Sequence, residues 1–118
     1  MNDGTYLKGL QGESKAVTYL ENRGMVLLAQ RYRSPFGEID AVMRDGDTLV
    51  FVEVKARNTA HEGAGLLSVD RRKQRKLVKT GLAYMAEHAC DCPVRFDVIE
   101  LTSDGIQYIA DAFTGSEF

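Results

Sequence analysis

Two apolar runs dominate the middle of the sequence, IDAVM at 39–43 and TLVFVEV at 48–54, and the four residues between them, Arg-Asp-Gly-Asp, are turn formers. An Asp-Gly pair suits the positive φ angles of a two-residue hairpin loop, and the flanking β-branched and aromatic residues suit strands. The pattern predicts a central hairpin turning at Asp45-Gly46, with Arg44 opposite Asp47, Asp40 opposite Phe51 and Glu38 opposite Glu53. Directly opposed residues share a face of the sheet, as do residues two apart on one strand. Glu38, Asp40, Glu53 and Lys55 therefore collect on one side of the hairpin. A three-residue loop would send Asp40 to the other side.

Charges in such a strand pair need a reason, because burying an unpaired carboxylate is costly. Carboxylates converging at a strand end repel one another unless a cation sits between them, and hard oxygen ligands with room for water suit Mg²⁺ or Mn²⁺. Lys55, two residues after Glu53, points to the same side and can stabilise developing negative charge or orient a water. These are the parts for metal-assisted hydrolysis of a phosphodiester. A structural Glu53–Lys55 ion pair is the competing account of the same two residues.

The rest of the chain supplies a frame. A helix is expected over about 6–23, stopping at Gly24, with Tyr6, Leu10, Val17 and Leu20 on one stripe and Glu13 in the middle of it. A strand follows over 26–32, then SPFG as a turn before the hairpin. The Gly-rich segment 58–67 reads as a long mobile loop beside the site. A second helix fits 69–89, capped by Ser68, with Leu77, Val78, Gly81, Leu82 and Met85 inward and Gln74 near the centre of that stripe. Two more strands, 94–102 and 106–112, meet at Ser103-Asp104-Gly105. The order helix, three strands, helix, two strands predicts one α/β sandwich over residues 1–118, a central mixed β-sheet flanked by helices.

Net charge is only −2, but residues 1–79 hold 14 of the 15 Lys and Arg against 10 of the 17 acids. Six of those bases fall within RRKQRKLVK at 71–79. Arg57, Arg71, Arg72, Lys73 and Lys76 are candidate phosphate contacts, against the default of a solvated helix face. No stretch approaches the roughly 20 apolar residues of a membrane span, and the N-terminus lacks a signal-peptide pattern, so a cytoplasmic protein with no membrane partner is expected. Cys90 and Cys92, one residue apart, are poorly spaced for a disulfide and lack the partners of a zinc site. They are expected to be free thiols.

GEIDAV, the spacing from Asp40 to Glu53, and EVK together resemble the PD-(D/E)XK nuclease superfamily. The longer string GEIDAVMRDGDTLVFVEVKAR, with RFDVI at 95–99, resembles the YraN family of bacterial proteins, over roughly residues 9–111. A more distant likeness is to archaeal Holliday junction resolvases, whose opening Gly-x-Gln-x-Glu pattern is met by Gly9, Gln11 and Glu13. Ile39 stands where the superfamily name puts Pro. The resemblance implies a restriction-endonuclease-like fold and an endodeoxyribonuclease dependent on Mg²⁺ or Mn²⁺. Asp40, Glu53 and the Val54 carbonyl would be metal ligands, Glu13 an outer ligand, and Lys55 the base or charge stabiliser, with Glu38 and Gln74 in support. It also implies DNA as partner, branched or damaged forms included, and a homodimer suited to the two symmetric strands of a junction. A nucleic-acid-binding or assembly module that keeps the fold without cleaving is the alternative.

Overall fold

Helix α1 (Asp3–Glu21) ends just before Gly24, whose φ of +94° lets Met25 N–H turn back to the Leu20 carbonyl. Glycine takes that left-handed conformation without a Cβ penalty, so the chain reverses there into the sheet. This is a computed structural model, and it describes the backbone of residues 3–56 and 69–115 and the side chains of residues 12–56 and 69–115. The expected inward positions Tyr6 and Leu10, the loop at 58–67, Arg57 and the Ser68 cap lie outside the residues whose side chains are described.

Strands β1 (Val26–Ser34), β2 (Gly37–Asp45) and β3 (Thr48–Ala56) form an antiparallel meander. Helix α2 (Arg71–Glu87) then precedes β4 (Val94–Thr102), which pairs parallel to β3, and β5 (Gly105–Phe113), which returns antiparallel along β4. The spatial order is the sequence order, β1 to β5. Two separate apolar layers cover the sheet. Ala16, Val17 and Leu20 of α1 pack on Ala41, Met43, Val50, Val52 and Ile99. Leu77, Val78 and Tyr84 of α2 pack on Val42, Phe51, Phe96 and Val98. The described residues thus form an α/β sandwich, a mixed sheet with α1 on one face and α2 on the other, as the element order predicts.

The hairpin turns one residue later than expected. Asp45 pairs with Thr48 and Val42 with Phe51, so the loop is Gly46-Asp47. Gly46 has φ of +61° while Asp47 is not in the left-handed region, which fits a turn demanding glycine at its first loop position rather than its second. The two-residue loop length survives, and the register places Asp40 nearer to Glu53 than to Phe51.

Helix α2 departs from expectation in its cap and in the face it buries. Its N-cap is Asp70, whose Oδ1 accepts from Lys73 N–H at 2.9 Å. Its buried side is centred on Leu77, Gly81 and Tyr84, with Thr80 buried beside them, while Leu82 is 59% exposed. Gly81 is the reason, since the Phe51 ring occupies the space a side chain there would fill. A Cβ on Gly81 would stand 3.0 Å from one Phe51 ring carbon and 3.1 Å from another. Gly81→Ala is expected to destabilise the fold by ~1–3 kcal/mol through overpacking, despite alanine's better helix propensity. Urea denaturation would measure it, and unchanged stability would show that the ring can move aside.

Candidate active site

Pairing between β2 and β3 stops at Ala41↔Val52, although both strands continue. Beyond that point β2 stays with β1, pairing Ile39 to Tyr32 and Glu38 to Arg33, and β3 stays with β4, pairing Glu53 to Val98 and Lys55 to Glu100. The two strands therefore part and leave a V-shaped gap at the carboxyl end of β3. The first turns of α2 lie over it. The resulting cleft, of about 610 Å³, is lined by Gly37, Glu38, Asp40, Glu53, Val54 and Lys55 from the strands and by Asp70, Arg72, Lys73, Lys76 and Leu77 from the helix and its cap.

Asp40 sits at the fork. Its Oδ2 accepts the Val54 N–H at 2.7 Å, so a side chain takes over a donor that the interrupted ladder leaves without a backbone partner. The alternation expected along β2 breaks here as well. Ile39 packs in the α2-side core with Val42, whereas Ala41 packs on the α1 side. Across the ladder, between Gln30 and Tyr32, Arg31 holds a left-handed φ of 52°. Such a local irregularity re-aims side chains. Glu38, Asp40, Glu53 and Lys55 thus meet in one cleft, but across the gap between strands rather than by sharing a flat face.

Glu53 is 4% exposed, and its Oε2 lies 3.2 Å from Lys55 Nζ and against Lys73 Nζ. A buried carboxylate held by two ammonium groups is the electrostatic centre of the cleft. Burial, then the Glu53 charge and a hydrogen bond to it, pushes the Asp40 carboxyl up to about 8, against the pull of the Val54 N–H. Lys55 is lowered from its ordinary value, first by burial and then by the neighbouring Lys73, with Glu53 opposing. Burial is the largest single influence on Lys73 as well, but its bonds to Glu53 and Lys55 and the charges of Glu53 and Asp40 together exceed it and the net shift is upward. The two lysines are thus shifted in opposite directions, although the same carboxylate and each other act on both.

The remaining expected residues divide. Glu38 lines the cleft and is tied to Arg33 Nε at 2.6 Å. Glu13, on α1 across the sheet, binds Arg31 Nε at 3.0 Å and does not line the cleft. Its carboxyl is raised by burial, with Arg31 opposing and the charges of Glu38 and Glu53 adding, so it lies within the electrostatic reach of the site. Gln74 turns away, its Nε2 donating to the Val69 carbonyl at 2.9 Å, and so anchors the approach to α2. Arg71 and Arg72 are exposed, as are Arg75 and Lys76, while Lys73 has turned inward to Glu53. Lys73 was legible only as one base in a run. Asp70 also lines the cleft, and its sole signal was its place ahead of an amphipathic helix. Glu100, buried in register with Lys55, repeats the anomaly of Glu53, an acid closing an apolar strand run. Cys90 and Cys92 are free thiols, half-buried away from the cleft.

Among the described residues, no three Asp, Glu, His or Cys side chains converge closely enough to hold a metal ion as they stand. No helix among them is long and apolar enough to cross a membrane.

The model of the uncharacterised protein family UPF0102 matches residues 12–101, a span that contains every cleft residue named above. The chain belongs to that family. A UPF0102 protein of Shewanella loihica is 41% identical over 106 residues, covering 90% of this chain and 93% of its own. One of Geobacter metallireducens is 46% identical over 110 residues, covering 89% and 90%, and one of Methylococcus capsulatus is 47% identical over 96 residues, covering 81% and 78%. This UPF0102 family is the YraN family whose strings the sequence resembles.

Proposed function

We propose that this UPF0102 protein is a metal-dependent nuclease of restriction-endonuclease-like fold that hydrolyses DNA phosphodiester bonds. The observation that carries the reading is the pairing of two carboxyl groups, Asp40 and Glu53, with the Lys55 amine in one cleft at the parting of β2 and β3. Mg²⁺ commonly takes one or two carboxylates and keeps several waters, so two carboxylates suffice as its protein anchors. Cations already fill that role around Glu53, where two ammonium groups offset its buried charge. Asp40, Glu53 and the Val54 carbonyl would hold the ion. Once bound, it would polarise the phosphodiester and acidify a water.

The protein's own groups would do the rest. Lys55, with its depressed pKa, can take a proton from the attacking water or give one to a phosphate oxygen. Arg72 and Lys76 line the same cleft from α2 and would fix neighbouring phosphates, setting the scissile bond over the carboxylates. Glu13 would orient Arg31 and contribute its field rather than a direct bond.

A second reading is favoured by one observation. Glu53 is already ion-paired twice, and a module that binds nucleic acid without turnover needs nothing more. Calorimetric titration of Mn²⁺, followed by cleavage assays on duplex, single-stranded, flap and four-way DNA, separates the two. Metal binding with metal-dependent cutting is the expected result. Nucleic-acid binding with neither metal uptake nor cutting would establish the module and overturn the nuclease.

A further inference from the structure

Ser34 pairs with Gly37, leaving Pro35 and Phe36 as the two-residue loop that joins β1 to β2. Phe36 is 50% exposed. A lone exposed phenylalanine is ordinary by itself. The loop that carries this one is anchored at several points. Pro35 fixes one backbone angle of the loop. Phe36 N–H donates to Ser34 Oγ at 3.0 Å, and that oxygen is 3.2 Å from Oγ1 of the fully buried Thr80 on α2. Gly37, at φ of +152°, brings the loop so near to α2 that an added Cβ would lie 3.5 Å from Thr80 Oγ1 and 3.8 Å from Lys76 Cβ.

The loop is therefore fastened to the helix that roofs the cleft, and Gly37 itself lines the cleft. Lys79 Nζ stands 5.9 Å from the centre of the Phe36 ring. Residues 72, 76 and 79 are spaced to fall on one face of α2, so Arg72 and Lys76 in the cleft continue as a row of cations to Lys79 beneath the ring. Cations leading to an exposed aromatic side chain on an anchored loop are what a single strand requires, since its phosphates follow the charges and a base stacks on the ring.

We infer that Phe36 is a stacking platform for an unpaired nucleotide, so that the substrate of the cleft is DNA with a single-stranded segment. The inference rests on the nucleic-acid part of the function proposed above. A blunt duplex keeps its base faces stacked on one another and offers none to Phe36, whereas a gap, flap or junction offers one. A loop whose backbone is already anchored to α2 also loses little conformational freedom on binding.

The test uses the full chain with Ca²⁺ in place of Mg²⁺, so that binding is read without cutting. Single-stranded and gapped oligonucleotides carrying 2-aminopurine in the unpaired segment are compared with a blunt duplex, for wild type, Phe36→Ala and Phe36→Tyr. Phe36→Ala should weaken binding of the first two by about tenfold and remove their stacking-dependent fluorescence change, with duplex affinity kept within about twofold. Phe36→Tyr should retain both. Equal weakening on all three DNAs, or no weakening, would overturn the inference. So would a Phe36→Ala variant with altered self-association and intact DNA affinity, which would assign the ring to a protein contact. Wild type that binds no oligonucleotide defeats this inference and the proposed function together. Stacking without metal-dependent cleavage in Mg²⁺ defeats the nuclease alone.

Discussion

Asp40→Asn is expected to lower metal-dependent cleavage by about 10²–10⁴-fold while the protein stays folded. The amide oxygen of Asn can still accept the Val54 N–H that Asp40 accepts at 2.7 Å, so the fork between β2 and β3 keeps its bridge. What disappears is the negative charge offered to a cation. With the Asp40 carboxyl pushed up from 3.8 to about 8 by burial and by Glu53, the neutral form is already the main one near neutral pH without metal, and Asn imitates it. Metal uptake must displace that proton, so wild-type affinity should rise with pH until it levels off near 8. Stability should move the opposite way. The raised carboxyl contributes stability fully present below about 3.8 and lost as pH rises through about 8, because only the native state holds the proton between those values. Thermal melts of the metal-free protein across that window should decline for wild type and flatten for Asp40→Asn. Parallel melting curves for the two proteins, or cleavage retained in the variant, would remove Asp40 from the site.

The sequence made the frame legible where a local rule had no competitor. Gly24 ended α1 because nothing else there tolerates the left-handed turn, and the last strand pair closed at Ser103-Asp104 as its composition suggested. Glu53 and Lys55 stood out because a buried strand does not otherwise carry them. Three things were not legible. The hairpin loop contained two acids around one glycine, and composition alone could not say whether Gly46 stood first or second. Periodicity put Leu82 inward, but the approach of α2 was decided by the Phe51 ring seated on Gly81, a tertiary contact between distant segments. Lys73 was one of six bases in a short run, and only the distance across the cleft singles it out as the partner of Glu53. Alternation gathered Asp40 with Glu38, Glu53 and Lys55 for an incomplete reason, since they meet in a cleft where the strands part and the Asp40 side chain bridges the gap.

Asp97→Ala is expected to be the most damaging single substitution away from the cleft, costing about 3–5 kcal/mol. The Asp97 side chain is 0% exposed and accepts from three donors. Arg95 Nε lies 3.1 Å from one carboxylate oxygen and 3.3 Å from the other, the Tyr108 hydroxyl donates to it, and Asp111 N–H donates at 2.8 Å. The last bond falls where the β4–β5 ladder shifts register, between Phe96 and Val98, and Asp111 there has φ of 53°. An aspartate again takes over an N–H that an irregular ladder has dropped, as Asp40 does for Val54. Arg95 carries the effect further, because its other nitrogens reach Asp45 at 3.0 Å and Tyr108 at 3.4 Å, tying the β2–β3 turn to the sheet's far edge. Alanine would leave a guanidinium, a phenol and a backbone N–H without the fully buried acceptor they share. Against a typical total stability of about 5–15 kcal/mol, such a loss is large enough to lower the melting temperature by more than about 10 °C. Burial and the bond to Asp97 push the Tyr108 hydroxyl up to about 12, so the same variant should let that phenol ionise at lower pH in a spectrophotometric titration. Asp97→Asn, which retains an acceptor but no charge, should lose less than alanine. A variant that melted with wild type would mean that water replaces the carboxylate and that the network is ornamental to the fold.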